Sequence, residues 1–342
     1  MYSELTTQQS RVFIDSLQGY QSWLDARAKM RDYKGGMHWK SINNQQYLYR
    51  TYDSKGTAKS LGPRSDKTET IYNQFHQRRT ELEHRVNSLT TKVVEQQRMA
   101  RALRVGSAPA VLAKVCRALC EHDLMGKNVL IIGTNALYAY ESLAGVRVQS
   151  DVMATQDMDV LFKPKSKLTA VAKGIGPDGF LGVLKSVDKT FEINEAQPFR
   201  ATSSNGYMVD LIRQMPNPPW NSEPHNLGES DPFIAADLRN MEWMLSMPSM
   251  RQFVIADNGT PFEMEVPDPR AFMLFKSWLS EQPDREPFKR SRDAAQAHVM
   301  AGLLRDRLPH FPLNWSALRS FPKALIDRLE NTADPAEDSL SP

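Results

Sequence analysis

Apolar positions recur along this chain with two periods, and the switch from one to the other marks its elements. From residue 7 to 32, Val12, Phe13, Leu17, Tyr20, Trp23 and Leu24 fall at helical spacing, which predicts a packing helix broken by Gly35-Gly36. Tyr47 to Tyr52 then alternates, Asp53-Ser54-Lys55-Gly56 reads as a hairpin turn, and Thr57 to Leu61 as the return strand. After Gly62-Pro63, Asp66 followed by Glu69 resembles a capping box, and Ile71, Phe75, Leu82, Val86, Leu89, Val93 and Leu103 carry one long helix to about Val105. A helix of roughly 40 residues is about 60 Å long, more than one small domain can bury, so it reads as an arm toward a partner or as a coiled-coil seam for a homodimer.

Pro109 opens a further helix through Leu119, and Val129 to Ile132 is a short β-branched run that stops at Gly133. Thr134 is placed to cap a helix whose apolar positions are Leu137, Tyr138, Tyr140 and Ala144, so a buried strand turns directly into a helix start. Asp157 to Phe162 reads as the next strand, and Phe199 to Ala201 with Tyr207 to Arg213 as a pair around Asn205-Gly206. Residues 145 to 155 and 173 to 182 read as loops, and 215 to 232 as a Pro-rich connection. Beyond it, Ala236 to Leu245 reads as a helix, Phe253 to Ala256 and Phe262 to Val266 as short strands, and Pro269 to Leu279 and Phe288 to Leu304 as helices. The acidic, Pro/Ser-rich tail 334–342 reads as disordered.

Chemistry concentrates where the strands converge. Period-2 alternation puts Asp157 and Asp159 on one strand face and Met158 and Val160 on the other. Two neighbouring carboxylates repel unless a cation lies between them, and a hard divalent ion with oxygen ligands, Mg2+ or Mn2+, is the usual solution. Asp210 is flanked by Val209 and Leu211, so its side chain points the opposite way from theirs. The turn at Gly133-Thr134 offers free backbone N–H groups suited to phosphate.

A hydrophobic strand, Gly-Thr at a helix start, Asp-x-Asp on a neighbouring strand and a later acid resemble the nucleotidyltransferase superfamily. In particular they are similar to a bacterial branch distantly like the toxin and abortive-infection nucleotidyltransferases. The 22 residues between Thr134 and Asp157 exceed the usual spacing and imply a longer loop. The resemblance extends from about Tyr47 onward. It implies an α/β (α+β) fold: a mixed nucleotidyltransferase sheet core, a helical C-terminal part and a basic N-terminal extension of helices and a hairpin. The domains it implies are 1–107 (extension), 108–225 (core), 226–333 (helical region) and 334–342 (tail).

It also implies transfer of NMP from an NTP, such as ATP, to an acceptor hydroxyl. Asp157, Asp159 and Asp210 would be the catalytic and metal-ligating residues, with Asp210 either ligand of a second metal or general base. Gly133 and Thr134 would contact the nucleotide, and so would Lys276, Lys289, Arg292 and Asp293, at positions matching a Lys on one C-terminal helix and a basic-acidic pair on the next. A plain structural reading of Lys276 is an ion pair with Asp293 that staples two helices.

Composition sets the context. The 342 residues are 41% apolar, enough for a full core, and no stretch approaches the roughly 18 apolar residues of a membrane span. The N-terminus lacks the apolar run of a signal peptide, so a cytoplasmic protein is expected. Cys116 and Cys120, four apart on a helix, suit neither a disulfide nor a metal site and read as core thiols. The formal charge of +3 hides an asymmetry: residues 1–120 hold 20 Lys and Arg against 10 Asp and Glu, while the rest hold 23 against 30.

That basic third favours an RNA acceptor, tRNA first, over a small molecule. Tyr47 and Tyr49 interleaved with Arg50, Lys55, Lys59 and Arg64 suit stacked bases and phosphates, although an ordinary half-buried hairpin with solvated lysines has the same pattern. Protein NMPylation, a toxin or defence role with a cognate antitoxin, and a non-catalytic nucleic-acid-binding scaffold are the other readings. The presence of all three acids weighs against the last of these.

Overall fold

A computed structural model describes residues 2–52, 57–153, 155–163, 179–221, 233–245, 247–313, 318–319, 321–323 and 325–326. It divides the chain into two units, one of residues 11–105 and one of residues 1–10 with 106–342.

Strand β1 (Tyr2–Glu4) belongs to the second of these and pairs with a strand described below. Helix α1 (Thr7–Arg31) buries Val12, Ser16, Gly19, Tyr20, Trp23 and Ala26, one stripe at three- and four-residue spacing. Three antiparallel strands follow: β2 (Gly36–Ile42), β3 (Gln45–Thr51) and β4 (Ala58–Pro63). Sequence alternation foresees the last two, but β2 is a largely exposed strand, paired with β3 along its whole length. Asn43 and Asn44 both take positive φ, 49° and 59°, the backbone of the tight hairpin turn that joins β2 to β3. The turn expected at residues 53–56 lies outside the described residues.

Helix α2 (Asp66–Ala102) is the long helix, capped by Ser65 in a box with Thr68 rather than by Asp66 and Glu69. Its Gln96 lies over Gly19, where a Cβ would come within 2.2 Å of the Gln96 amide oxygen, and Gln96 donates to the Asp15 carbonyl at 2.8 Å. Trp23 donates to Thr90 at 2.9 Å. These contacts pin α2 against α1 within the unit.

In the other unit, Pro109 precedes α3 (Ala110–Glu121), which buries six of its residues, Cys116 among them; both cysteines are free thiols. Next come β5 (Val129–Ile132), a 3-10 turn (Gly133–Ala136), α4 (Leu137–Ala144), β6 (Val146–Val148), the partner of β1, then α5 (Ser150–Met153) and β7 (Asp157–Phe162). Helix α6 (Gly179–Val187) occupies part of what reads as a loop, since Phe180, Val183 and Leu184 make a buried face. Strands β8 (Glu192–Asn194), β9 (Gln197–Thr202) and β10 (Met208–Gln214) complete a meander.

The helix expected over Ala236 to Leu245 is instead β11 (Ala236–Leu238), a positive-φ break at Asn240, and one helical turn, α7 (Glu242–Leu245). The free edge of β10 captures Ala236–Leu238, and Asp237 pairs with Arg213, which helical periodicity cannot register. A hairpin of β12 (Met250–Ile255) and β13 (Pro261–Val266) and the helices α8 (Pro269–Ser280) and α9 (Pro287–Asp306) finish the described chain.

The main sheet runs β5-β7-β10-β9-β8, with β11 also on β10. Strand β7 is antiparallel to β5 and parallel to β10, and β10 is antiparallel to β9. The fold is mixed α/β. One apolar core fills it, from Leu112 on α3 through Ile131, Val160 and Val209 on the sheet to Phe272 and Met300 on the last helices. Among the described residues no helix is long and apolar enough to cross a membrane.

Candidate active site

The site begins with the end of β5. Gly133 holds φ +63°, and a Cβ placed on it would lie 2.0 Å from Asp159 Oδ2, so glycine is what lets the strand-end turn close over that carboxylate. Thr134 does not cap α4 as expected. A 3-10 turn intervenes before Leu137, the cap position is Ala136, and the Thr134 hydroxyl accepts from Gln296 Nε2 at 3.1 Å. Gln296, fully buried on α9, also donates to the Val152 carbonyl at 3.0 Å, tying the turn to the last helix.

Register then gathers the acids. Ile132 pairs with Asp159, Asp159 with Asp210, and Asp210 with Arg200, one row across β5, β7, β10 and β9. Asp157 lies two residues before Asp159 on the same strand face. Its backbone carbonyl accepts from Asn135 Nδ2 at 2.6 Å, and its carboxylate accepts from the Thr155 hydroxyl. Burial first, and then the Asp157 and Asp210 charges, push the Asp159 carboxyl up from 3.8 to about 6. Lys276 and Arg285 pull it the other way, so both cations lie within electrostatic reach of Asp159.

Arg200 clasps the third acid. Its Nε donates to Asp210 Oδ1 at 2.7 Å and its Nη2 to Oδ2 at 2.6 Å, while Nη1 donates to Gln197 Oε1 at 3.1 Å. Periodicity along one strand does not reveal this residue. The hairpin does: with the turn centred on Asn205, the cross-strand neighbour of Asp210 is Arg200.

The helical wall is built on Asp293, which is fully buried. Lys276 Nζ donates to Asp293 Oδ1 at 2.7 Å, and Arg285 Nε donates to Oδ2 at 2.9 Å. The staple between α8 and α9 is therefore present, and Arg285 is a member that helical spacing missed because it sits between the two helices. Burial lowers the Lys276 pKa, against the upward pull of Asp293 and Asp159. Two cations against one buried acid leave this wall net positive. Lys289 is exposed and pairs with Glu286 at 3.3 Å, whereas Arg292 is half-buried one residue before Asp293.

Among the described residues, those charges leave Asp157 and Asp159 as the acids of the site with no ion pair to a cation. Two carboxylates, one of them hard to ionise without a counter-charge, fit one hard divalent ion. Asp210 is held instead by Arg200, which donates to both of its carboxylate oxygens.

The basic N-terminal residues divide by face. Leu48 and Arg50 are buried, whereas Tyr47 and Tyr49 are half-buried on the opposite face of β3. Arg50 is thus withdrawn from the surface on which it is expected to meet phosphates. Its guanidinium donates to the carbonyls of Asp32, Lys34 and Gly36 at 2.8 to 3.1 Å and lies over the rings of Tyr52 and Phe75. Arg64 pairs with Glu69 at 2.7 Å and covers Trp39, Lys59 is exposed, and Lys55 lies outside the described residues.

No curated protein and no solved structure matches the chain. A family model described as Nucleotidyltransferase matches residues 110–320, from the first residue of α3 past the end of α9. That span is well over half of the chain and contains the whole acidic row, the Gly133 turn and the helical wall, so the protein belongs to the nucleotidyltransferase family.

Proposed function

We propose that the protein transfers NMP from an NTP to a hydroxyl of RNA, with tRNA the first candidate, and that Asp157 and Asp159 hold a Mg2+ or Mn2+ ion for the reaction. The observation that carries this reading is the pairing of two uncompensated carboxylates with the Gly133 turn on one side and a net positive wall, Lys276 with Arg285, within electrostatic reach on the other. A divalent ion bound there supplies charge neutralisation of the triphosphate.

The protein's own groups do the rest by position and charge. Backbone N–H groups at Gly133-Thr134 receive phosphate oxygens, and Lys276 and Arg285 balance the negative charge that grows on the leaving pyrophosphate. Lys289, exposed and paired with Glu286, and the half-buried Arg292 are the further basic residues of α9 assigned to the nucleotide in this reading. As the acceptor hydroxyl gives its proton to solvent and its oxygen bonds to the α-phosphorus, the bond to the bridging oxygen breaks and its electrons leave with pyrophosphate. Gln296 keeps the turn in register with α9 through Thr134.

RNA is favoured as acceptor by the excess of basic residues before residue 120, by Tyr47 and Tyr49 on the face of β3 opposite Leu48 and Arg50, and by the exposed Lys59 and Arg64. The test is incubation with each α-labelled NTP, Mg2+ and total RNA or total protein. Labelled RNA supports the reading, labelled protein replaces the acceptor with a protein hydroxyl, and no label in either with intact protein overturns it.

A further inference from the structure

Resting on the metal-dependent transfer just described, we infer that the acidic row takes one divalent ion rather than two, and that Arg200 occupies the place where a second would bind. All three guanidinium nitrogens are engaged, two on the separate oxygens of Asp210 and one on Gln197, which fixes the group in place. Asp210 is 6% exposed while the Arg200 side chain is 26% exposed, so the face of this pair open to an incoming group is the arginine. A guanidinium cannot shed its charge at any working pH, and a dication drawn to Asp210 would have to sit beside it.

Displacing the arginine by a metal would also forfeit both charge-assisted bonds of the guanidinium to Asp210, so the exchange is opposed a second time. With both of its oxygens accepting strong bonds, Asp210 is equally ill placed to take a proton from an acceptor hydroxyl. Its role is to position Arg200. Arg200 then presents a fixed positive charge next to Asp159, its neighbour but one in the row, where a two-metal site would carry the second ion.

The test uses Mn2+ alone as probe, counting bound ions per chain by electron paramagnetic resonance and reading spin coupling between neighbouring ions. The wild type is expected to bind one Mn2+ without coupling, Asp210→Asn still to bind one, more weakly because the Arg200 charge is then uncompensated, and Asp159→Asn to lose it. Arg200→Gln is expected to admit a second, spin-coupled ion that Arg200→Lys still excludes. If Arg200→Gln fails to fold by circular dichroism, the comparison of wild type with Asp210→Asn decides alone. Two coupled ions in the wild type, or loss of the ion in Asp210→Asn, overturns the inference while leaving NMP transfer standing. A single ion in folded Arg200→Gln overturns the role of Arg200. No bound Mn2+ together with no NMP transfer overturns both readings.

Discussion

Replacing Gly133 with alanine separates two costs that the structure makes independent. The first is conformational: at φ +63° an L-residue pays about 1–2 kcal/mol for the left-handed backbone. The second is steric, because the new methyl would meet Asp159 Oδ2 at 2.0 Å, Cγ at 3.0 Å and Cβ at 3.2 Å, and the carboxylate must turn off its rotamer at a further cost of about 1 kcal/mol. Gly145 supplies the control: its φ is +64°, but nothing lies within 4 Å of its added Cβ. Gly133→Ala is therefore expected to cost about 2–3 kcal/mol and Gly145→Ala about 1–2 kcal/mol.

Hydrogen exchange of peptides from β5 and β7 is the suitable assay, since it reads opening of this sheet without requiring two units to unfold together. The difference between the variants should collapse in an Asp159→Ala background, a coupling of about 1 kcal/mol. Mn2+ affinity should fall for Gly133→Ala and hold for Gly145→Ala. Equal losses for the two glycines in wild type, or a difference that survives Asp159→Ala, would refute the packing of the turn on the carboxylate.

The remaining predictions bear on charge. Asp159, at about 6 folded against 3.8 ordinarily, binds protons more readily folded than unfolded, so it makes the metal-free protein less stable as pH rises from about 4 to 6. The shift of roughly two units corresponds to on the order of 3 kcal/mol, and Asp159→Asn should lack this slope in paired melts and melt higher at pH 8 without metal. Binding needs the ionised carboxylate, so Mn2+ affinity should fall as pH drops below about 6; an affinity flat from pH 5 to 8 would exclude Asp159 as ligand. Asp293→Asn leaves the Lys276 and Arg285 charges without their acid and should cost about 3–5 kcal/mol, Lys276→Met distinctly less because Arg285 still holds Asp293; equal losses in denaturant titrations would contradict this. Arg50→Ala should destabilise residues 11–105 by roughly 3 kcal/mol and act on RNA only through folding, whereas Lys59→Ala should leave melting unchanged and lessen the salt dependence of RNA binding measured by anisotropy.

The sheet was legible because burial leaves two marks on a strand: the continuous apolar run Val129 to Ile132, buried throughout, and the alternation that separates Asp157 and Asp159 from Met158 and Val160. The long helix and the α8–α9 pair were legible for the same reason at period 3.6. What escaped is decided by pairing across the chain rather than along it. Arg200 reads as one polar residue in a short strand until the hairpin register sets it opposite Asp210. Ala236–Leu238 follows helical propensity in isolation and becomes a strand because β10 has an edge to fill. Arg50 carries the same charge whether it faces water or, as here, a ring of carbonyls, and only the parity it shares with Leu48 distinguishes the two.

The central claim, NMP transfer directed by Asp157 and Asp159, is tested most directly by two labels on one NTP. Carried on the α-phosphorus, the label should pass to the acceptor; carried on the γ-phosphorus, it should appear only in pyrophosphate. Both signals should vanish in Asp157→Asn and Asp159→Asn proteins whose circular dichroism matches the wild type. Transfer of the γ-label, or undiminished transfer of the α-label by both variants, would contradict the account.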